Sequence, residues 1–341
     1  MRILVTGGAG YIGSHTVRLL KDRGHEVFVF DDFSRGHRVF LDRLKIPADH
    51  IFEGTLTAQK QISMACKRFR PQAVIHFAAV ALVGESSIDP ATYWQINVAG
   101  SLNLLNAIRA NDIKNIVFSS SCSVYGDQKI IPITEECPPD PLNPYAFTKY
   151  AVERMLQDFH KAYEFNTISL RYFNAAGASE DGLIGEDHNP ETHLIPLVLK
   201  SILDKGFTLN VFGNDYATPD GTCIRDYVYV DDLAEAHCLA AEKLINGNSK
   251  NRGINEFYNL GTSIGSSVLE VISICEQITG MKSKYVFTQR RIGDPAILVA
   301  DATKVLNALN WKPKATLQTI IKSASDWYSR NSSPECELSG E

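Results

Sequence analysis

The sequence predicts an α/β protein built on a doubly wound parallel sheet, with a smaller C-terminal α/β domain. Three observations carry this. Short apolar, β-branched runs alternate with amphipathic helical stretches through the first half, the pattern of a parallel sheet wrapped by helices. A glycine-rich turn, Gly7 to Gly13, lies directly between the first run and the first helical stretch. Beyond about residue 175 the texture changes to Gly and acidic clusters (179–187, 213–221 and 247–253) that break up shorter elements. At 341 residues the chain exceeds one average domain of roughly 150 residues. The expected division is 1–175 and 176–341.

In order, strands are expected at residues 2–6, 26–31, 73–79, 115–121 and 166–173, and a first helix from Ser14 to Arg23. Between the last two strands Val152, Met155, Leu156 and Phe159 recur at helical spacing, with Asn143 as N-cap and Pro144 as first residue. A strand-like Tyr227 to Val230 followed by a helical Leu233 to Leu244 makes residues 225–245 a candidate return to the first domain's sheet. There is no internal repeat. The last residues, from Arg330, are polar and expected to fray.

Hydrophobic residues make up 44% and charged residues 21%, with a net charge of -5, an ordinary globular composition without the basic field that holds nucleic acid. The seven cysteines form no CxxC pair, which favours free thiols in a reducing compartment. A strand follows Met1 at once, leaving no room for a signal peptide, and no apolar run approaches the roughly 20 residues of a membrane span. The expectation is a cytoplasmic protein that neither spans a membrane nor binds a metal, since no zinc-ligand spacing is present.

The glycines sit where a strand turns into a helix. Gly7 permits the tight turn, Gly10 lets backbone approach a pyrophosphate and Gly13 lets helix pack on strand, while N–H groups at the helix start attract the anion. The second strand ends on Asp31, 18 residues beyond Gly13, where a carboxylate can bond the adenosine ribose hydroxyls and repel the extra phosphate of NADP. This is a Rossmann-type site expected to take NAD, although Arg35 and Arg38 follow closely. Tyr145 and Lys149 lie four apart, on one helix face. A tyrosine of ordinary pKa about 10 needs a fall of roughly three, about 4 kcal/mol, to act as a base near pH 7. A neighbouring ammonium and a cationic nicotinamide are the sources of that fall. Ser119 to Ser121 end a parallel strand, where open α/β sheets place ligands, making Ser121 a candidate partner for the reacting hydroxyl.

The segments Thr6 to His15, Ser119 to Gly126, Tyr145 to Lys149 and Arg171 to Asn174 together resemble the extended short-chain dehydrogenase/reductases. Val83 to Ser86, Phe212 to Tyr216, Asp220 to Thr222, Arg225 to Tyr227 and Arg291-x-Gly293-Asp294 are similar, more narrowly, to the UDP-glucose 4-epimerase family. The resemblance implies reversible inversion at C4 of a UDP-hexose through a 4-keto sugar, with tightly held NAD and a homodimeric enzyme. Tyr145 would be the base, Ser121 would orient the hydroxyl, and Lys149 would lower the tyrosine pKa and hold the nicotinamide ribose. It further places Tyr11, Ile12, Asp32, Ser34, Arg35 and Gly36 against the cofactor. Thr55, Leu56, Phe77, Ala78, Ala79, Ala81 and Phe173 join them. For the UDP-sugar it implies Asn174 and Leu194 near the diphosphate, Phe212 near the uracil, Arg225 and Arg291 as anion clamps and Asp294 on the ribose; the second domain is then the substrate domain.

The pattern departs from the family at several points. Thr55 stands where an aspartate commonly meets the adenine, Ala81 where some members have lysine, and His193 where some have an asparagine beside the UDP. Leu298 occupies the place of a tyrosine or smaller residue that decides whether an N-acetyl group fits, so some activity on the N-acetyl sugars is expected; an apolar gap-filler is the alternative. A 4,6-dehydratase would need an acid and base after Ser121, where Cys122-Ser123 stands instead. A UDP-pentose or UDP-uronate epimerase, and a catalytically silent NAD-binding scaffold, are the remaining alternatives.

Overall fold

The computed structural model describes residues 1–247, 253–291 and 293–331. Cys336, most of the expected polar tail and much of the 247–253 cluster lie outside the described residues. In chain order the first elements are β1 (Arg2–Thr6), α1 (Tyr11–Asp22), β2 (Glu26–Asp31), α2 (Arg38–Arg43), β3 (Ile51–Glu53), α3 (Gln59–Phe69) and β4 (Ala73–His76). Then come α4 (Val83–Ile88), α5 (Pro90–Tyr93), a π-helical turn Trp94–Ala99, α6 (Gly100–Ala110), β5 (Asn115–Ser119), a 3-10 turn Cys122–Tyr125, α7 (Pro144–Tyr163) and β6 (Asn166–Tyr172). Past β6 lie β7 (Asn174–Ala176), α8 (Leu194–Leu203), β8 (Leu209–Phe212), β9 (Ile224–Arg225), β10 (Tyr227–Tyr229), α9 (Val230–Asn246) and β11 (Asn255–Leu260). The last are β12 (Ser266–Ser267), α10 (Val268–Thr279), β13 (Tyr285–Thr288), β14 (Ile297–Leu298), α11 (Thr303–Leu309) and α12 (Leu317–Asn331).

Seven parallel strands form the central sheet in the order β11-β6-β5-β4-β1-β2-β3. Strand order reverses between β1 and β4, the switch point at which doubly wound sheets bind ligands. Side chains of each strand alternate between two cores: Ile3, Val5, Val29, Ile75 and Val117 face α1 and α9, while Leu4, Phe28, Phe30, Val74 and Phe118 face α3, α6 and α7. Burial on both faces explains why these strands read as continuous apolar runs.

β4, β5 and β6 stop short of the expected ends at 79, 121 and 173. Phe77 and Ala78 leave the ladder because both donate to Thr6 O, at 2.9 and 3.1 Å; Ser121 opens the 3-10 turn; and Asn174 moves to β7, which pairs with β10. The Tyr227–Val230 strand therefore does not join the central sheet. α9 instead lies against α1 and the sheet, and β11, which carried no clear signal in sequence, pairs with β6. A third core, with Ile195, Val198, Val271, Ile272, Ile320 and Ile321, gathers α8, α10 and α12.

Candidate active site

The glycine turn divides into positions the fold requires and one it does not. Gly7 holds φ at +71°, and a Cβ there would lie 2.5 Å from Ala78 N; a Cβ on Gly13 would lie 2.0 Å from Gly7 O. Packing alone demands glycine at both. Gly10 has an ordinary extended conformation (φ -77°, ψ 176°), and its Cβ would meet only Gly7 O at 3.4 Å. As the N-cap of α1 it offers no side chain to the first helical N–H groups, so that end of the dipole is open to an anion. These residues fit a dinucleotide pyrophosphate.

Around this cradle, the Tyr11 hydroxyl donates to Gly177 O at 2.6 Å and Ile12 packs between two cores. Asp31 is buried, and its two oxygens accept Ala9 N and Phe33 N, both at 2.9 Å; burial pushes its carboxyl up against those bonds. Asp31 thus shapes the turn as well as facing its rim. Asp32 is exposed and accepts Ser34 N and Oγ at 3.0 and 2.6 Å. A Cβ on Gly36 would lie 2.8 Å from Ala9 C, while Arg35 pairs with Glu85 at 2.6 Å. Thr55 N donates to Gln61 Oε1 at 3.0 Å, Leu56 and Phe173 are buried, Phe77 to Ala79 are half-buried, and Ala81 is exposed.

Asn143 caps α7 through its side chain on Ala146 N, and Pro144 stands at the first turn, as the sequence predicts. Tyr145 and Lys149 are both buried one turn on, at 6% and 3% exposure. Lys149 Nζ donates to Ser119 O at 2.9 Å and lies 5.8 Å from the centre of the Tyr145 ring. Ser121 acts on the Tyr145 hydroxyl in the direction of phenolate, but burial, then Tyr172, push this hydroxyl well above its ordinary value. Lys149 is driven the other way, to about 8, by burial, with the Glu153 carboxylate opposing. From the protein's own groups the tyrosine is not depressed as expected; its low-dielectric setting outweighs Ser121.

Val80, Tyr93 and Tyr145 form one small core, and Ala78 touches the glycine turn, so both halves of the site share the carboxyl edge of β1, β4 and β5. Asn97, in the π-helical turn, locks this edge: it accepts Val80 N and donates to Val80 O and to Thr148 Oγ1. Beneath lies a buried network. Arg171 donates to both Glu153 oxygens at 2.9 and 2.6 Å, Ser120 Oγ donates to Glu153 at 2.6 Å, and Arg171 also donates to Tyr125 OH at 2.8 Å. Ser123 Oγ donates to Ser121 Oγ at 2.9 Å. Asn97 and Glu153 are not picked out in the sequence, and Ser123 and Tyr172 stand there inside motifs without a role of their own. Only Glu153 gave a signal there, continuing the four-residue spacing of Tyr145 and Lys149.

Beyond β6, Arg225 and Asp294 bond each other, and the Arg291 guanidinium lies 4.0 Å from the Phe212 ring centre. Asn174 N donates to Asp226 O at 2.9 Å. Leu298, half-buried, pairs in register with Arg225 through β14 and β9. His193 and Leu194 begin α8, and the His193 imidazole meets Glu186. That contact belongs to a cluster of Glu186, His188, Glu191 and His193, in which burial would lower His193 but the Glu186 charge holds it up, at about 9.

The fold and the glycine cradle define a dinucleotide-binding α/β protein. The chain belongs to the NAD dependent epimerase/dehydratase family, whose model matches residues 3–261. It is 44% identical over 329 residues to a UDP-glucose 4-epimerase of Halalkalibacterium halodurans, covering 96% of each chain. Among solved structures it resembles the UDP-glucose 4-epimerase of Brucella ovis in complex with NAD, at 43% identity and TM-score 0.89, covering 95% of this chain and 97% of that one. The Bifidobacterium longum enzyme in complex with NAD+ and UDP aligns at 37% identity and TM-score 0.89, covering 96% and 98%. Among the described residues, no helix is long and apolar enough to cross a membrane.

Proposed function

We propose that this chain interconverts UDP-hexoses, UDP-glucose and UDP-galactose first, by inverting the hydroxyl at C4 with NAD retained between turnovers. The observation that carries the reading is the convergence of Tyr145, Lys149 and Ser121 on the sheet edge beside the glycine cradle, in a chain so similar to UDP-glucose 4-epimerases. NAD, when bound, supplies a reversible hydride acceptor for the sugar's C4.

The chain's own residues do the rest. Tyr145 takes the O4 proton as the C4–H bond breaks and returns it after the 4-keto sugar has turned over. Ser121, fixed by Ser123, orients the hydroxyl. Lys149, held on Ser119 O, supplies positive charge against the phenolate. Arg225 and Arg291 serve the diphosphate, Phe212 the uracil, Asp294 the uridine ribose, and Asn174, His193 and Leu194 the rim between them. Burial of Tyr145 and Lys149 excludes water from the exchange. We further propose a cytoplasmic homodimer, which light scattering of the purified chain would test.

The decisive assay adds UDP-galactose to purified protein without NAD and measures UDP-glucose. Turnover is expected, and Tyr145→Phe should abolish it while the cofactor stays bound. Full activity in that variant would remove the base assignment, and no epimer from any UDP-sugar would remove the function.

A further inference from the structure

We infer that the loop 186–193 is a binding site for one divalent transition-metal ion, zinc by preference, held by Glu186, His188, Glu191 and His193. One donor atom from each lies within 4.8 Å of all the others. A tetrahedral zinc with bonds of about 2.0–2.1 Å sets its ligands about 3.3 Å apart. His188 Nδ1 stands 3.3 Å from Glu186 Oε1 and 3.8 Å from Glu191 Oε2, and His193 Nδ1 stands 3.7 Å from Glu191 Oε1. Those three spacings need a contraction of a few tenths of an ångström, while Glu186 and His193, which bond each other directly, must part to admit the ion.

Two further facts point to a cation. The Glu186 carboxylate is 5% exposed, and it faces both a second carboxylate, Glu191, and the His193 imidazole; a metal ion would take over the compensation of the two carboxylates that His193 now gives. His188 Nδ1 is sealed from solvent and makes no hydrogen bond, although it faces both carboxylates. Mixed imidazole and carboxylate donors suit zinc rather than calcium or magnesium. The site is preorganised, because Glu186 O accepts Trp327 Nε1 at 2.9 Å, Asp187 O pairs with His37 at 2.9 Å, and α8 begins directly after His193. The His188 ring meets the edge of Tyr11 at 6.0 Å. A metal here clamps α8 and α12 to the head of α1.

The test uses the untagged full-length chain, stripped with a chelator, and titrates it calorimetrically with zinc chloride alone. One zinc per chain is expected, weakened more than ~10-fold in both His188→Asn and His193→Asn, since even outer-shell changes cost that much. Bound Co2+ should show tetrahedral visible bands without a sulfur charge-transfer band, which separates this site from the cysteines. Glu191→Gln provides the same comparison should either histidine variant fail to fold. Absence of stoichiometric binding, equal affinity in the variants, or a sulfur band would overturn the assignment. None of these readouts depends on turnover, so they stand apart from the proposed epimerase activity.

Discussion

Removing Arg171 while leaving Glu153 should destabilise the protein by about 3–5 kcal/mol, the range for stripping one partner from a buried ion pair. Both side chains are 3% exposed. Without the guanidinium, Glu153 retains Ser120 Oγ as its only donor in this network, and Tyr125 OH loses the Nη1 bond at 2.8 Å. A loss of that size is a large share of a total stability of roughly 5–15 kcal/mol. The isosteric double replacement Glu153→Leu/Arg171→Met should cost less than Arg171→Met alone, because no orphaned charge remains. Urea unfolding followed by circular dichroism, with unchanged slope, gives the comparison. A single-variant loss under about 1 kcal/mol, or a double variant as poor as the sum, would refute the reasoning. Glu153 also supports the Lys149 ammonium. Glu153→Gln should therefore lower the Lys149 pKa further below about 8 and move the alkaline limb of turnover to lower pH.

Other perturbations test neighbouring claims. Lys149 falls from 10.5 to about 8 on burial, so its charge works against folding fully below pH 8 and ceases to do so as pH rises to 10.5; Lys149→Met should raise stability by about 1–3 kcal/mol at pH 7 while abolishing turnover, and destabilisation would count against it. His76, pressed by burial to about 3, stays neutral in the fold and charges when unfolded. Stability should therefore drop by about 2 kcal/mol between pH 7 and 5 through this group, and a His76→Gln chain showing an equal drop would sink the claim. Gly10→Ala should fold normally but release NAD on dialysis, whereas Gly13→Ala should destabilise strongly, its Cβ meeting Gly7 O at 2.0 Å; like behaviour of both would contradict the division. Leu298→Tyr should remove turnover of UDP-N-acetylglucosamine and spare that of UDP-glucose, measured as a rate ratio.

Much of the fold was legible because both faces of the sheet are buried, which turns each strand into an unbroken apolar run flanked by helices. β3 and β11 were not. β3 is only Ile51–Glu53, and Asn255–Leu260 opens with polar Asn255, which accepts from Thr167 of β6, and near its end sets Asn259 in the network around Tyr125. Tyr145 and Lys149 could be paired from spacing alone, since a helix enforces their common face. Asn97 and Ser123 could not, because their meaning lies in which distant backbone they bond. The Glu186–His193 cluster spans eight residues, yet its donors meet only after the loop folds back on itself, so spacing gave no metal signal.

The electrostatics of the pair explain why spacing could not name the chemistry. Burial disfavours the charged form of both groups, raising Tyr145 and lowering Lys149. Taken one at a time, each would be neutral sooner than in water. Taken together, phenolate and ammonium offset one another: Lys149 Nζ lies 5.8 Å from the Tyr145 ring centre, a range at which unlike charges attract by roughly 2–5 kcal/mol at an effective dielectric near 20. Bringing tyrosine to neutral pH needs about 4 kcal/mol even before desolvation. The protein therefore supplies part of the field, and the remainder must come from positive charge on the ligand at the same edge. A tyrosine built this way is deprotonated near neutral pH only while an oxidised, cationic ring lies beside it and holds its proton once that ring is reduced. Titration of the bound tyrosine by ultraviolet difference absorption should show a lower pKa with NAD than with NADH, and equal values would overturn the account.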